Sequence, residues 1–200
     1  MISYLALGDS YTIGEQVLLA DTFPYLTEQI LRRKGYHIAA PEIIAKTGWT
    51  TDELTAAIEQ TVFQDKYDLV TLLIGVNDQY RGRSPGEFKK EFELLLLKAI
   101  RFAGKKNKNV FVLSIPDWGI TPYAEGRDEK MIAVQIDAFN GDVKKITLNH
   151  RCNFIDITTD QRAQGRNPEM LAPDGLHPSG KEYQKWAEKL SEAFISTHSS

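Results

Sequence analysis

Gly8-Asp9-Ser10 places a serine hydroxyl directly after the first run of strand-forming residues. A residue in that position lies on the turn leaving a strand, at the edge where open α/β sheets bind ligands. Its hydroxyl can act as a nucleophile if a base removes its proton. Glycine, aspartate and serine are also common turn formers, so the tripeptide alone favours a simple turn. Ser10 therefore needs partners elsewhere in the chain.

His177 is the strongest candidate for that base among the four histidines of the chain. It stands in Asp174-Gly175-Leu176-His177-Pro178, at the end of a long loop and before the last helical segment. An aspartate in this position can accept a hydrogen bond from one ring nitrogen and leave the other facing a serine. An isolated segment of this kind is more typical of a turn that opens a helix. With Ser10, it predicts a catalytic triad of Ser10, His177 and Asp174.

Two further turns carry hydrogen-bond donors of the kind that acyl transfer requires. Gly48 follows the second strand-like run, and a glycine lets its backbone N–H approach a ligand closely. Asn77, in Gly75-Val76-Asn77-Asp78, follows the third run and carries a neutral amide donor. Each is also an ordinary turn residue. With the backbone N–H of Ser10, they predict an oxyanion hole, the donors that stabilise charge developing on a carbonyl oxygen.

The elements that must position these turns are predicted to form one parallel sheet. Short apolar runs alternate with helical segments, which indicates crossover units. The five predicted strands are Ile2 to Leu7, His37 to Ala45, Leu69 to Ile74, Asn109 to Ile115 and Cys152 to Ile157. Because the carboxyl ends of parallel strands meet at one edge, the nucleophile, base, orienting carboxylate and donors should meet there. This conjunction favours a serine hydrolase over a set of unrelated turns.

Helical periodicity connects the predicted strands. The predicted helices are Thr22 to Lys34, Thr51 to Phe63, Pro85 to Phe102, Asp128 to Asn149 and Ser179 to Ile195. Two long loops, Ile115 to Arg127 and Thr158 to Pro178, follow strands and so emerge at the ligand-binding edge. They are either functional loops or tolerated insertions. We expect a single domain spanning residues 1–200.

Composition excludes several other classes of protein. The chain has 200 residues, 42% of them hydrophobic, and a formal net charge of −3, so nothing indicates nucleic-acid binding. Its apolar runs are too short to span a bilayer. The single cysteine, Cys152, cannot form an internal disulfide, and the chain does not open on a signal peptide. We therefore expect a cytoplasmic protein, and an exported precursor that has lost its leader stays open as an alternative.

The ordered motifs resemble those of the GDSL, or SGNH, hydrolase family, over nearly the whole chain. The matching blocks are Gly8-Asp9-Ser10, Gly48, Gly75-Val76-Asn77-Asp78 and Asp174-Gly175-Leu176-His177-Pro178. The resemblance implies a three-layer α/β/α fold with a five-stranded, parallel, flavodoxin-like sheet, and neither a metal nor an organic cofactor. One departure is that Tyr11-Thr12 follows the first block, where the family usually has Leu-Ser. This departure is expected to affect the acyl pocket.

The same resemblance implies a role for each residue in the blocks. Ser10 would be the nucleophile and His177 the general base, with Asp174 orienting the imidazole. The backbone of Ser10, the backbone of Gly48 and the side chain of Asn77 would form the oxyanion hole. We also expect Asp9 to stay ionised and to hold the nucleophile turn by bonding backbone.

The identity of the small-molecule ester substrate stays open at this point, as does the oligomeric state. Aromatic residues near the predicted edge are candidates to line a substrate pocket: Tyr11, Trp49, Tyr80, Trp118 and Tyr123. An apolar pocket would suit a short-chain esterase or a lysophospholipase, and aromatic stacking would suit a carbohydrate O-deacetylase. Several of these aromatic residues could instead belong to the core.

Two rival classes fit the sequence less well. The Gly-x-Ser-x-Gly elbow of the α/β-hydrolases is absent, and that superfamily places its acid much farther from the histidine. A nucleotide- or phosphate-binding module on a flavodoxin-like sheet would need a glycine-rich phosphate loop. The segment from Gly8 to Gly14 has few glycines, and Asp9 lies within it where its charge would repel phosphate.

Overall fold

Five parallel strands form the central sheet in a computed structural model that describes residues 1–164 and 166–198. The strand order is β2-β1-β3-β4-β5. The strands are β1 (Tyr4–Gly8), β2 (Glu42–Ala45), β3 (Leu69–Leu73), β4 (Val110–Leu113) and β5 (Asn153–Ile155). The predicted α/β class and the five-stranded parallel sheet are confirmed.

Register explains why the functional turns meet. Gly8, the last residue of β1, is paired with Ala45 of β2 on one side and with Leu73 of β3 on the other. Three strands therefore end at the same level, and the turns that follow them lie side by side. All residues of β1 and β3 are buried, as expected for central strands covered on both faces.

Eight α-helices surround the sheet within the described part of the chain. They are α1 (Ser10–Ile13), α2 (Phe23–Arg33), α3 (Thr51–Glu59), α4 (Val76–Tyr80), α5 (Pro85–Phe102), α6 (Glu129–Asn149), α7 (Thr158–Gln164) and α8 (Gly180–His198). Helix α2 packs against α8, while α5 packs against α3 and α6. These two groups form the outer layers of an α/β/α sandwich. In the described residues, no helix combines the length and apolar character needed to cross a membrane.

Local signals in the sequence explain several helix starts. Thr50 and Glu53 form a capping box at the start of α3, in which each side chain bonds the other residue's backbone. The Ser84 side chain accepts a hydrogen bond from the N–H of Glu87, and Pro85 occupies the first helical position of α5. These caps satisfy N–H groups that have no partner inside the helix.

The predicted second strand, His37 to Ala45, is too long. Only Glu42–Ala45 pairs along β1, and Ile38 forms an isolated bridge with Ile2. Pro41 lies between these two parts; it has no N–H to donate and restricts the residue before it. The predicted helix from Thr51 to Phe63 also ends early, at Glu59.

Both predicted long loops contain regular turns. The first carries short 3-10 turns at Trp118–Ile120 and Pro122–Ala124. The second opens with helix α7, which periodicity does not predict because its sequence is mostly polar. The Asp156 side chain caps the start of this helix by accepting a hydrogen bond from the N–H of Thr159 at 3.0 Å. Gly165 of this predicted loop, and Ser199 and Ser200 of the predicted domain, lie outside the described residues.

Candidate active site

Ser10 begins α1 immediately after β1, on a turn that only glycine permits. A Cβ atom on Gly8 would lie 2.1 Å from Oγ1 of Thr12 and 2.4 Å from the carbonyl oxygen of Leu73. The absence of a side chain at Gly8 lets the chain fold back tightly at the edge of the sheet. The turn presents the Ser10 side chain above that edge.

Ser10, His177 and Asp174 form a continuous hydrogen-bonded chain. The distance from Oγ of Ser10 to Nε2 of His177 is 2.9 Å. On the other side of the imidazole, Nδ1 of His177 lies 2.6 Å from Oδ2 of Asp174. Ser10 and His177 are only 4% and 6% exposed, so the hydrogen bond between them is shielded from bulk water, whereas Asp174 lies at the surface. The two ring nitrogens therefore face the two partners that general-base catalysis by histidine needs.

Asp174 holds the histidine through its backbone as well as its ring. Oδ1 of Asp174 accepts hydrogen bonds from the N–H groups of Leu176 and His177, both at 3.0 Å. Partial burial of Asp174 opposes ionisation, but these hydrogen bonds and the one from the imidazole outweigh it, and the pKa of Asp174 is lowered. An ionised carboxylate at this position keeps the proton on Nδ1 and leaves Nε2 free to accept one.

Asp9 plays the predicted structural role, but in a different charge state. Its Oδ1 accepts a hydrogen bond from the N–H of Tyr11 at 3.0 Å and so caps α1. Complete burial raises the pKa of Asp9 to about 8, and the nearby Asp78 carboxylate contributes to the increase. The prediction that Asp9 is ionised at neutral pH is therefore wrong, because the sequence does not reveal that the side chain is fully desolvated.

Gly48 and Asn77 line the same cavity as Ser10 and His177. Gly48 has a φ of +82°, which favours glycine, and its carbonyl accepts a hydrogen bond from Arg81 at 2.6 Å. Within residues 1–164 and 166–198, the N–H of Gly48 has no hydrogen-bond acceptor. Nδ2 of Asn77 donates to the carbonyl of Trp49 at 3.0 Å and makes a longer contact of 3.4 Å with Oδ2 of Asp9.

Asp78 ties the Gly48 turn to the Asn77 turn, a role that sequence reasoning missed. Its Oδ1 accepts a hydrogen bond from the Thr51 hydroxyl at 2.7 Å, and its Oδ2 accepts one from the Thr51 N–H at 3.2 Å. Asp78 is fully buried. Its position directly after a strand and beside Asn77 was the available signal. This contact fixes the start of α3 relative to α4. It therefore also fixes the relative positions of Gly48 and Asn77, the two predicted oxyanion donors.

A cavity of about 130 Å³ opens above Ser10. It is lined by the predicted nucleophile, base and donors and by aromatic and aliphatic side chains: Ser10, Tyr11, Thr47, Gly48, Val76, Asn77, Tyr80, Trp118, Tyr123, Leu176 and His177. Small apolar pockets with a few converging polar groups are typical of ligand sites.

Four of the five aromatic residues proposed for the pocket line this cavity. Tyr11 is buried and packs against the imidazole of His177, with ring centroids 5.0 Å apart. Tyr80, Trp118 and Tyr123 also line the cavity and make edge-to-face contacts centred on Trp118. Trp49 does not line the cavity; its side chain is partly buried against the core and only its carbonyl turns toward Asn77. Tyr11, which with Thr12 departs from the pattern expected after the first block, therefore lies beside the predicted base.

Asp117 anchors the loop that carries Trp118. It is fully buried, its Oδ1 accepts from the N–H of Gly119 at 2.9 Å, and its Oδ2 accepts from Nε of Arg162 at 2.8 Å. Arg162 belongs to α7, the helix that the sequence prediction treated as loop. The two predicted long loops, Ile115 to Arg127 and Thr158 to Pro178, thus contact each other at the carboxyl edge of the sheet.

The described residues contain no cluster of three or more histidine, cysteine or acidic side chains arranged to hold a metal ion. The polar groups around Ser10 are its own hydroxyl, the His177 imidazole and hydrogen-bond donors that include the Asn77 amide. This arrangement is suited to acyl transfer.

The sequence profile of the GDSL-like lipase/acylhydrolase family matches residues 6–185 of the chain. The protein belongs to this family. The match contains all four motif blocks, since it begins before Gly8 and ends after Pro178.

Relatives of this GDSL-family protein are ester hydrolases by name. It is 24% identical over 212 residues to the spore germination lipase LipC of Bacillus licheniformis, with 96% of each chain covered. It is 25% identical over 186 residues to an acetylxylan esterase of Geobacillus stearothermophilus, covering 88% of this chain and 77% of the relative. These names support the assignment of the chain as an ester hydrolase.

Solved structures share the fold. The lipase/acylhydrolase from Enterococcus faecalis superposes with a TM-score of 0.76 at 20% identity, covering 98% of this chain and 96% of that one. The acetyl xylan esterase AlAXEase superposes with a TM-score of 0.74 at 20% identity, covering 96% of this chain and 99% of that one. The architecture of this GDSL-family protein is therefore that of known esterases and lipases.

Proposed function

We propose that this GDSL-family protein is a serine esterase that hydrolyses carboxylic esters of short acyl groups through an acyl-enzyme on Ser10. The observation that carries the proposal is the hydrogen-bonded chain from Asp174 through His177 to Ser10, which ends in a cavity lined by Gly48 and Asn77. Nucleophile, base, orienting group and donors are all present at one place.

In the first half of the reaction, Oγ of Ser10 attacks the ester carbonyl while Nε2 of His177 accepts its proton. Asp174 stabilises the imidazolium through the 2.6 Å contact with Nδ1. The tetrahedral intermediate then collapses: the bond to the alcohol oxygen breaks, and His177 returns the proton to the leaving alcohol. The acyl group is left esterified to Ser10.

In the second half, water replaces the alcohol. His177 takes a proton from the water, the resulting oxygen attacks the acyl carbonyl, and the bond to Oγ of Ser10 breaks as the proton passes to the serine. The products are a carboxylic acid and the regenerated hydroxyl.

Three donors would stabilise the charge on the carbonyl oxygen: the N–H groups of Ser10 and Gly48 and the Asn77 amide. One amide N–H of Asn77 donates a hydrogen bond to the backbone carbonyl of Trp49. The other amide proton makes only the 3.4 Å contact with Asp9. A neutral Asp9 is a weak competitor for that proton, so the raised pKa of Asp9 keeps the proton available for the substrate oxygen.

Cavity size limits the acyl group that fits. An apolar protein cavity of about 150 Å³ accommodates benzene, which has six carbon atoms. The cavity above Ser10 measures about 130 Å³. Acetyl to butyryl groups fit within that volume, whereas a long lysophospholipid acyl chain would have to extend outside it. A series of p-nitrophenyl esters from acetyl to dodecanoyl tests this limit, and highest kcat/KM on the long chains would contradict it.

Carbohydrate O-deacetylation is a second candidate, favoured by the mouth of the cavity. Tyr80 and Tyr123 are 43% and 46% exposed there, and exposed rings can stack on a sugar. Two of the similar proteins are named as acetylxylan esterases. Release of acetate from acetylated xylo-oligosaccharides, with a kcat/KM above that for p-nitrophenyl acetate, would favour this candidate over a general short-chain esterase.

Replacing the nucleophile tests the proposed function. Ser10→Ala should lower kcat on p-nitrophenyl butyrate by about 10⁴-fold or more, because the covalent route is lost and only binding and the donors remain. Thermal unfolding of the variant serves as the control for folding. Wild-type turnover by folded Ser10→Ala would rule out Ser10 as the nucleophile.

A further inference from the structure

The rings of Trp118 and Tyr80 form one wall of the cavity, and residues outside the cavity contact these rings. A ring at a partly open mouth can shift and enlarge a pocket unless other groups fix it. Their own edge-to-face contact has a centroid separation of 5.2 Å at an interplanar angle of 71°. Tyr80 is 43% exposed, whereas Trp118 is only 4% exposed.

Gln79 fixes the indole from behind. Its Oε1 accepts a hydrogen bond from Nε1 of Trp118 at 2.7 Å, and its Nε2 donates to Oε1 of Gln135 on α6 at 2.7 Å. Gln79 is 6% exposed and its hydrogen bond to Trp118 is buried, whereas its partner Gln135 is an exposed residue of α6. Because Gln79 lies in α4 beside the Asn77 turn, it ties the wall of the cavity to the helix that carries a proposed oxyanion donor.

Arg127 covers the same two rings from the surface. Its guanidinium carbon lies 5.2 Å from the Tyr80 ring centroid and 5.4 Å from the Trp118 centroid, within the range of a cation–π contact. Its Nη2 also donates to the Tyr80 hydroxyl at 3.2 Å. Among the residues the structure describes, Arg127 has no carboxylate partner, so the rings are its main contact.

Gln79 and Arg127 touch the wall without lining the described cavity. We propose that these two residues are positioning residues that set the acyl-length limit of the enzyme by holding Trp118 and Tyr80 in place. The inference rests on the proposed esterase function and adds the residues that determine its preference for short acyl groups.

Small changes in such a wall have measurable consequences. One methylene group in a hydrophobic pocket changes kcat/KM by about 10- to 200-fold. If Trp118 or Tyr80 is released, the cavity can enlarge by the volume of a few methylenes and admit longer acyl chains. Within the described residues, neither Gln79 nor Arg127 hydrogen-bonds Ser10 or His177, so the change should appear in selectivity more than in the rate of acyl transfer.

The test compares Gln79→Met and Arg127→Met with the wild type on p-nitrophenyl acetate and p-nitrophenyl hexanoate. Methionine is flexible and of similar length, and it removes the hydrogen bonds and the charge. Rates are expressed per active site, titrated with a fluorophosphonate. The ratio of kcat/KM for hexanoate over acetate should rise about tenfold in each variant. The rise should come mainly from a lower KM for hexanoate.

Gln60→Met and Arg101→Met are the matched controls. Both residues are exposed and lie away from the cavity, at the end of α3 and in the last turn of α5. Their selectivity ratios should stay within about twofold of the wild type, as expected for surface substitutions. An unchanged ratio in Arg127→Met and Gln79→Met, or the same rise in the controls, overturns the proposal.

Two further points keep the test decisive. Arg127 is exposed, so Arg127→Met alone decides the matter if the buried Gln79→Met variant fails to fold. Absence of wild-type activity on both esters would instead count against the proposed function, which separates the two failures.

Discussion

The groove between α3 and α5 and the cavity above Ser10 differ in size and in chemistry. The groove measures about 700 Å³ and the cavity about 130 Å³. Aliphatic side chains such as Leu94 and Leu97 line the groove, with charged groups around them. No serine, cysteine or histidine occurs among its described lining residues. The cavity, in contrast, brings a serine, a histidine and an asparagine together.

This difference indicates that position relative to the sheet, more than volume, distinguishes the candidate functional site. The groove arises where two helices pack side by side on one face. The cavity lies where several parallel strands end, so turns from distant parts of the sequence converge there. The predictions below test whether activity depends on the second region alone.

After Ser10→Ala, Asp174→Asn should have the largest effect. An amide cannot stabilise the imidazolium and favours the wrong tautomer of His177, so kcat should fall by about 10⁴-fold. The measurement is kcat on p-nitrophenyl butyrate, with circular dichroism to verify folding. A loss of less than tenfold would show that His177 works without its carboxylate and would weaken the triad assignment.

Asn77→Ala should have the next largest effect. Removal of one oxyanion donor typically lowers kcat by about 10²- to 10³-fold. Asn77→Asp is the matched variant: it keeps the shape but replaces the donor with a carboxylate beside the developing negative charge, so its kcat should be at least as low. Comparable KM values for both variants and the wild type would place the effect in the transition state.

Asp9→Asn should change how stability depends on pH. Burial raises the pKa of Asp9 from 3.8 to about 8, so the folded state binds more protons than the unfolded state between these values. Stability of the wild type should therefore fall, through this group, as pH rises from 5 to 8. Urea unfolding at both pH values should show a smaller decrease for Asp9→Asn. Parallel pH profiles for the two proteins would contradict a protonated Asp9.

Substitution in the groove should have the smallest effect on activity. Leu97→Ser changes a side chain that is 45% exposed and distant from Ser10 in the fold. We expect kcat/KM to stay within about twofold of the wild type, as for other surface changes. A tenfold loss of kcat/KM in folded Leu97→Ser would mean that the groove and the cavity are coupled, which would contradict an activity that depends on the cavity alone.

Much of the site could be predicted because its residues follow strands directly. Ser10, Gly48 and Asn77 each come within a few positions of a strand end, and parallel pairing forces those ends together. His177 and Asp174 are close in sequence, so their contact needs only a local turn. Periodicity was sufficient for the long helices because each buries one apolar face.

The remaining features depend on tertiary contacts that no local pattern encodes. Helix α7 is polar and is stabilised through Asp117, far away in the sequence. The side chain of Trp49 turns into the protein beside Gly48, whose left-handed backbone sets its direction. The protonation state of Asp9 follows from complete burial. Arg127 contacts Trp118, which is 9 residues away in the sequence, and Tyr80, which is 47 residues away.

Covalent labelling tests the central claim most directly. A fluorophosphonate reacts with an activated serine, so the protein would be incubated with the probe, digested, and analysed by tandem mass spectrometry. Our account predicts a single adduct on the peptide that contains Ser10, loss of esterase activity in proportion to labelling, and no adduct in folded Ser10→Ala. Inactivation that accompanies an adduct on a different residue, with Ser10 unmodified, would contradict it.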